Sequence, residues 1–397
     1  MKRSRRSVVW MATAAGLAWT TTMLLAQGRA VRPGDPLPGL TAREFTEFRL
    51  GLNDFTEVET SEEGLGPAFN ATSCAVCHSV PAIGGTSAVL ETRAATTDEA
   101  GAFKALDGTG ETLMHLFSIP THGCQPVIPD HATIIAHRAP IPVFGAGLVE
   151  AIPDDAILRL ADPDDRDRDG VSGRAAIVVD AATGNSRVGR FGWKAQHATL
   201  LAFAADAYRN EMGITNDIFP AEAAYGVNYD AMRRCDPLPD PEDRREPATG
   251  KRGIDNFESF MKFLAPIERG PAGAVERDGE RVFELTGCAT CHVPALETGA
   301  SGNRLFDRQI VRLFSDLLLH DIGTGDGIQQ SAAAANEIRT PALWGLRTRR
   351  PLMHDGGSAT PEDAIRRHTG EAALSRRTFE ALRPEQRAAL LAFLRSL

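Results

Sequence analysis

Apolar side chains return at helical spacing in several stretches. Phe257, Phe260, Met261 and Leu264 share one helix face, and Leu390, Phe393, Leu394 and Leu397 form the buried stripe of a closing helix that starts at Pro384. Capping signals predict further helices. Thr41 with Glu44 three residues on opens one over 41–53. Pro153-Asp154-Asp155 starts another, Thr199 to Arg209 and Val275 to Leu285 read as helical runs, and Thr360 caps a helix over 361–368 with Pro361 in its first turn. Proline, glycine and charge mark 32–40, 81–85 and 237–253 as loops or linker. Between 86 and 144 no period stands out.

One apolar stretch is different in kind. Val8 to Ala26 follows Lys2, Arg3, Arg5 and Arg6 and ends at Leu24-Leu25-Ala26, the pattern of an export signal over 1–26 cleaved before Gln27. Ser4-Arg5-Arg6 hints at the twin-arginine form of such a signal. The mature chain is expected in the periplasm, and a membrane contact only if the signal stays uncleaved. No later segment is apolar enough to span a bilayer. At 397 residues and 43% apolar content the chain has room for two or three domains with real cores, and a net charge of -9 makes nucleic acid a poor partner.

Two pentads carry the chemistry: Cys74-Ala75-Val76-Cys77-His78 and Cys288-Ala289-Thr290-Cys291-His292. In a C-x-x-C-H pentad two thiols add to the vinyl groups of one porphyrin, and the adjacent histidine supplies an axial ligand to its iron. Cys74, Cys77, His78, Cys288, Cys291 and His292 are therefore read as the attachment sites of two covalently bound haem c groups. The alternatives for a C-x-x-C pair are half a zinc site or a dithiol redox pair. Cys124 and Cys235 remain, either as a disulfide, which an oxidising compartment permits, or as separate thiols. His115, His122, His131 and His137 are each a ligand candidate or an ordinary polar histidine.

Asp165, Asp167 and Asp169, followed by Gly170, alternate as the start of a calcium loop does. Position twelve is Ala176 rather than a bidentate Glu, so Ca²⁺ would be held in a partial or differently closed site, and a solvated acidic turn is the other reading. A faint internal repeat joins the halves. Ala198-Thr199-Leu200 and Ala359-Thr360-Pro361 each open a helix, five residues beyond Trp193 and His354 respectively. With the pentads, this describes two related units in tandem, the first enlarged by an insertion.

Both pentads, Arg190 to Ala195, Leu319 to Gly323, Arg339 to Trp344 and Met353 to Ala372 resemble the di-haem oxidoreductase family, which is distantly similar to bacterial di-haem cytochrome c peroxidases. The resemblance implies a mainly α fold of two tandem cytochrome c-like domains, 27–253 with insertion and linker and 254–397, whose compact part begins near Gly270. It implies haems facing each other across the interface. Phe191-Gly192-Trp193 looks like the segment that places a tryptophan between the haems, with plain core as the rival role for Trp193. Glu211-Met212-Gly213 looks like the segment whose Glu is the distal acid–base group for peroxide, against a solvent-facing helix end. Phe203 replaces a Gln of the peroxidases, a departure from their pattern. His368 matches the sixth ligand of the second haem, usually a Met, with Met353 as runner-up. His320 and Arg339 are candidates for haem contacts, Arg339 through a propionate.

The activity so implied is an exported di-haem c-type oxidoreductase, peroxidase-like, passing electrons from the second haem to a peroxide-reactive first haem. A small soluble cytochrome c or copper protein would be the donor, and peroxide or another small oxidant the acceptor. The alternative is a non-catalytic electron-transfer cytochrome with both irons six-coordinate, His197 and the histidines at 115–137 offering ligands to the first.

Overall fold

Thr41 starts the first helix, α1 (Ala42–Thr56), through the expected capping box: its Oγ1 accepts from the Glu44 N–H, and Glu44 Oε2 accepts from the Thr41 N–H at 2.8 Å. A short helix α2 (Cys74–Cys77) carries the first pentad. The computed structural model describes residues 30–106, 111–119, 125–221, 245–247 and 249–397, so the export segment, His122, Cys124 and Cys235 lie outside the described residues.

The stretch without a readable period is a small antiparallel sheet. Its central strand, Glu91–Thr97, pairs with Ile134–Arg138 on one side and with Leu113–Met114 and Phe103–Lys104 on the other, with Arg93 opposite both Leu113 and Ala136. Several strands are two residues long, too short for alternation to register in a sequence. Helix still dominates, at 31% against 13% strand.

Further on come α3 (Ala146–Glu150), α4 (Asp154–Leu158), α5 (Leu200–Met212) and α6 (Gly253–Phe263). Thr199 caps α5, and Gly213 ends it at a φ of 69°. The second half holds α7 (Ala274–Leu285), α8 (Pro361–Arg367), α9 (Ala373–Glu380) and α10 (Pro384–Ser396). Thr360 caps α8 with Asp363 as its box partner.

Two helix crossings repeat one device. In the first half α1 crosses α6, with Phe55 4.7 Å from Phe260 between ring centroids. A Cβ on Gly51 would lie 2.1 Å from the Asn256 carbonyl oxygen, so only glycine lets the backbones meet. In the second half α7 crosses α10, Phe283 packing on Phe393 at 5.2 Å, and a Cβ on Gly279 would lie 2.0 Å from the Ala389 carbonyl oxygen. Helix α6 also meets α5 through Phe257 and Tyr208, so its contacts lie with the first pentad's helices. The main core nevertheless draws on both halves, placing Leu313, Leu317 and Leu318 with Phe48, Leu200 and Phe260. Val31–Leu397 is one compact unit.

Candidate active site

Each pentad walls its own cavity. The first encloses about 1270 Å³ including its open mouth and is lined by Cys74, Cys77 and His78. The second encloses about 1280 Å³ and is lined by Cys288, Cys291 and His292. Trp193 lines both. It is buried; its Nε1–H donates to the Ala139 carbonyl at 2.8 Å, and the Arg349 guanidinium sits 5.3 Å from its ring centroid, within cation–π range.

Ser73 caps the turn that brings Cys74 and Cys77 onto one side, its Oγ accepting from the Ala75 N–H at 3.3 Å. His78 follows as the cap residue and donates from Nδ1 to the Gly85 carbonyl at 2.9 Å. His292 does the same to Phe314 O at 3.0 Å, and His368, just past α8, to Ala364 O at 2.7 Å. A carbonyl only accepts, so each neutral ring carries its proton on Nδ1 and leaves the Nε2 lone pair for a metal. Burial holds all three below the ordinary imidazole value, His292 at about 4 with His368 adding to the effect. His368 and Met353 both line the second cavity.

Haem fits this set. Three neutral imidazoles present the right nitrogen, and the cavities have room for a porphyrin. Burial pushes the Cys74 and Cys77 thiols up to about 12, away from the thiolate that a redox dithiol needs. The second cavity is also lined by two buried guanidiniums, Arg339 and Arg349, brought down to about 10 chiefly by burial and, for Arg339, by its neighbour Arg349. Arg339 is no surface residue: Nε donates to Gly192 O at 2.8 Å and Nη1 to Thr340 O at 3.0 Å. His354, also lining this cavity, keeps a buried Nδ1 with no protein partner.

His320 sits between two carboxylates, Nε2 to Asp316 Oδ2 at 2.9 Å and Nδ1 to Glu371 Oε2 at 2.8 Å. Burial would lower its pKa, but Asp316, Cys291 and Glu371 outweigh it and hold the ring as an imidazolium, near 12.

Glu211, the penultimate residue of α5, is half-buried and lines the first cavity rather than the outer surface of the helix end. Its Oε2 accepts from Asn70 Nδ2 at 2.7 Å. Burial and the negative charge of Glu91 push its carboxyl up to about 8. Glu91, which sequence reasoning missed, lines the same cavity and is held by Arg93, Nε to Oε1 at 2.7 Å. Its signal was not local, because its partner lies at the far end of α5. Phe203 also lines this cavity, stacked on Phe191 at 5.7 Å.

Among the described residues His78 is the one histidine lining the first cavity. His115 is buried, bonding through Nε2 to Asn210 O at 2.8 Å. His197 pairs with Asp206 Oδ2 at 2.8 Å, and His131 and His137 are exposed. Behind Trp193, Lys194 is wholly buried, its Nζ donating to Ala334 O, Ala335 O and Glu337 O and pairing with Asp326 Oδ1 at 3.0 Å. Arg138 reaches the other oxygen of Asp326 at 2.7 Å. The carboxylates of Asp165, Asp167 and Asp169 converge, one oxygen of each lying within 4.8 Å of the others.

A family model described as "Di-haem oxidoreductase, putative peroxidase" matches residues 121–397. Solved structures similar to this chain include the di-haem peroxidase BthA of Burkholderia thailandensis, at 16% identity, covering 91% of this chain and 86% of that one with a TM-score of 0.44. A MauG-like protein associated with microbial copper homeostasis is 15% identical, covering 96% and 95% with a TM-score of 0.42. Hydrazine synthase of Kuenenia stuttgartiensis is 14% identical, covering 99% and 100% with a TM-score of 0.43. No curated protein matches the chain.

Proposed function

This chain belongs to the di-haem oxidoreductase family, and on that premise we propose that it is an exported c-type enzyme that reduces a peroxide at the first cavity with electrons entering through the second. Membership implies two haem groups. Cys74, Cys77 and His78 would hold one, and Cys288, Cys291, His292 and His368 the other, the cysteines as thioethers and the histidines through Nε2. When bound, haem supplies the oxidation–reduction chemistry. The chain's own residues do the rest.

Asn70 fixes one oxygen of the Glu211 carboxyl, and the neutral carboxyl holds a proton against the cavity. A peroxide that takes up two electrons needs two protons to leave as water and an alcohol or a second water; Glu211 hands one to the departing oxygen as general acid. Phe203, stacked on Phe191, puts an apolar ring on the cavity wall where the peroxidases have a Gln. Trp193, held by Ala139 and Arg349, is the aromatic bridge between the two sites. That one side chain walls both pentad cavities is the observation that carries this reading.

The crossings of α1 with α6 and of α7 with α10 support two tandem cytochrome c-like units. The 253/254 boundary read from sequence would assign α6 to the second unit, but α6 packs on α1 and α5, so we place the boundary after it, near Gly270, with the sheet in the insertion of the first. Asp165, Asp167 and Asp169 are proposed to hold calcium, supported by their converging oxygens. The periplasm is the proposed location. Among the described residues no helix is long and apolar enough to cross a membrane. The donor is proposed to be a small soluble cytochrome c or copper protein.

The test is hydrogen peroxide turnover by haem-loaded protein. Glu211→Gln should lose about 10²–10⁴-fold of the rate with haem content unchanged. Full turnover in that variant would remove Glu211 from the reaction.

A further inference from the structure

The first cavity carries a second carboxyl that a lone proton carrier does not need. Glu91 and Glu211 line the same cavity, and each acts electrostatically on the other's carboxyl. Ionised carboxyls only accept hydrogen bonds, and two like charges in direct contact do not both persist away from water. Two carboxyls that act on each other away from water therefore favour a state with one proton between them.

The surroundings decide where that proton resides. Arg93 takes Glu91 with two nitrogens, Nε to Oε1 at 2.7 Å and Nη2 to Oε2 at 3.4 Å, and Arg138 Nη1 stands 3.8 Å from Oε1. Glu211 has a neutral partner, the Asn70 amide. That amide is oriented by its own oxygen, which accepts from the Leu116 N–H at 3.0 Å, so its NH₂ side is the one turned to Glu211. Guanidinium stabilises charge on Glu91, while a neutral amide does far less for Glu211. The other titratable group facing the pair from α5 is Asp206, which acts on Arg93 and is itself paired with His197 and Arg209; Cys77 from α2 faces the pair too, but as a thioether in haem-loaded protein it carries no charge.

We propose that Glu91 is a positioning residue of the first site: it shares one proton with Glu211, and its ion pair with Arg93 keeps that proton on Glu211, at the cavity. The proposal rests on the peroxidase reading and deepens it by giving the general acid its charge state. The electrostatics agree. Burial raises both carboxyls, but Arg93 and Arg138 outweigh it at Glu91 and hold that group down, whereas at Glu211 the charge of Glu91 adds to burial. Arg138 also reaches the second half, through Asp326 and Gln330, so the clamp on Glu91 is tied to the partner unit.

The experiment is an infrared pH titration of the carboxyl C=O stretch in haem-loaded protein, run beside the pH profile of hydrogen peroxide turnover. Wild type should show a protonated carboxyl that ionises near pH 8, and Glu211→Gln should lose that band. In Glu91→Gln the midpoint should fall by about one pH unit or more as a neutral amide replaces the charge, and the turnover limb should move by the same amount at unchanged haem content. An unmoved midpoint in Glu91→Gln, the carboxyl band that ionises near pH 8 persisting in Glu211→Gln, or a wild type in which both carboxyls of the pair are ionised at pH 7 would each overturn the proposal. A wild type without peroxide turnover would remove the functional reading, while the infrared titration would still decide the pair.

Discussion

His78, His292 and His368 are alike in how they are held: a backbone carbonyl takes Nδ1, burial keeps the ring neutral, and Nε2 stays available. An axial histidine lowers a haem potential relative to methionine. His368→Met should therefore raise the midpoint potential of the second haem in a potentiometric titration and leave the first unmoved; an unchanged potential would hand the ligand position to Met353. On the proposed role of Glu211, the pH dependence of turnover follows from its carboxyl. Its folded pKa is raised, so the acid form is present below about 8 and is lost as pH rises through that value. Turnover should fall along the same limb in a pH profile. The pentads were legible because their chemistry is local. Glu91 was not, because its meaning depends on a residue 120 positions away, brought beside it by a strand with no readable alternation.

The crossings of helices carry the most specific demands on sequence. Gly51→Ala or Gly279→Ala would drive a Cβ to within 2.1 or 2.0 Å of a backbone oxygen, where no flexible side chain can yield. Each should cost on the order of 1–3 kcal/mol or more, read as a drop in Tm. Gly302→Ala, whose Cβ meets nothing within 4 Å, should stay within about 0.5 kcal/mol of wild type. Helix starts were readable from Thr41, Thr199 and Thr360, because a cap is a short-range hydrogen bond. The sheet around Glu91–Thr97 was not, since its two-residue partners are set by tertiary packing rather than by pattern.

At the scale of the whole chain, one core and one buried charge cluster join the halves. Lys194 and Arg138 both bind Asp326, beside the tryptophan that walls both cavities. Removing the ammonium with Lys194→Met would leave Asp326 short of a partner, a change of the kind that costs about 3–5 kcal/mol, and it should loosen the placement of Trp193. The tandem pentads and repeated helix starts behind the two proposed units were legible in the sequence. Their shared core was not, because Leu313, Leu317 and Leu318 join it only across the fold. The central claim is that this chain holds two haems in separate cavities that share Trp193. The electron paramagnetic resonance spectrum of the fully oxidised protein, with spins counted per chain, tests it most directly. The account predicts two ferric signals per chain of different ligation, and a single spin per chain would contradict it.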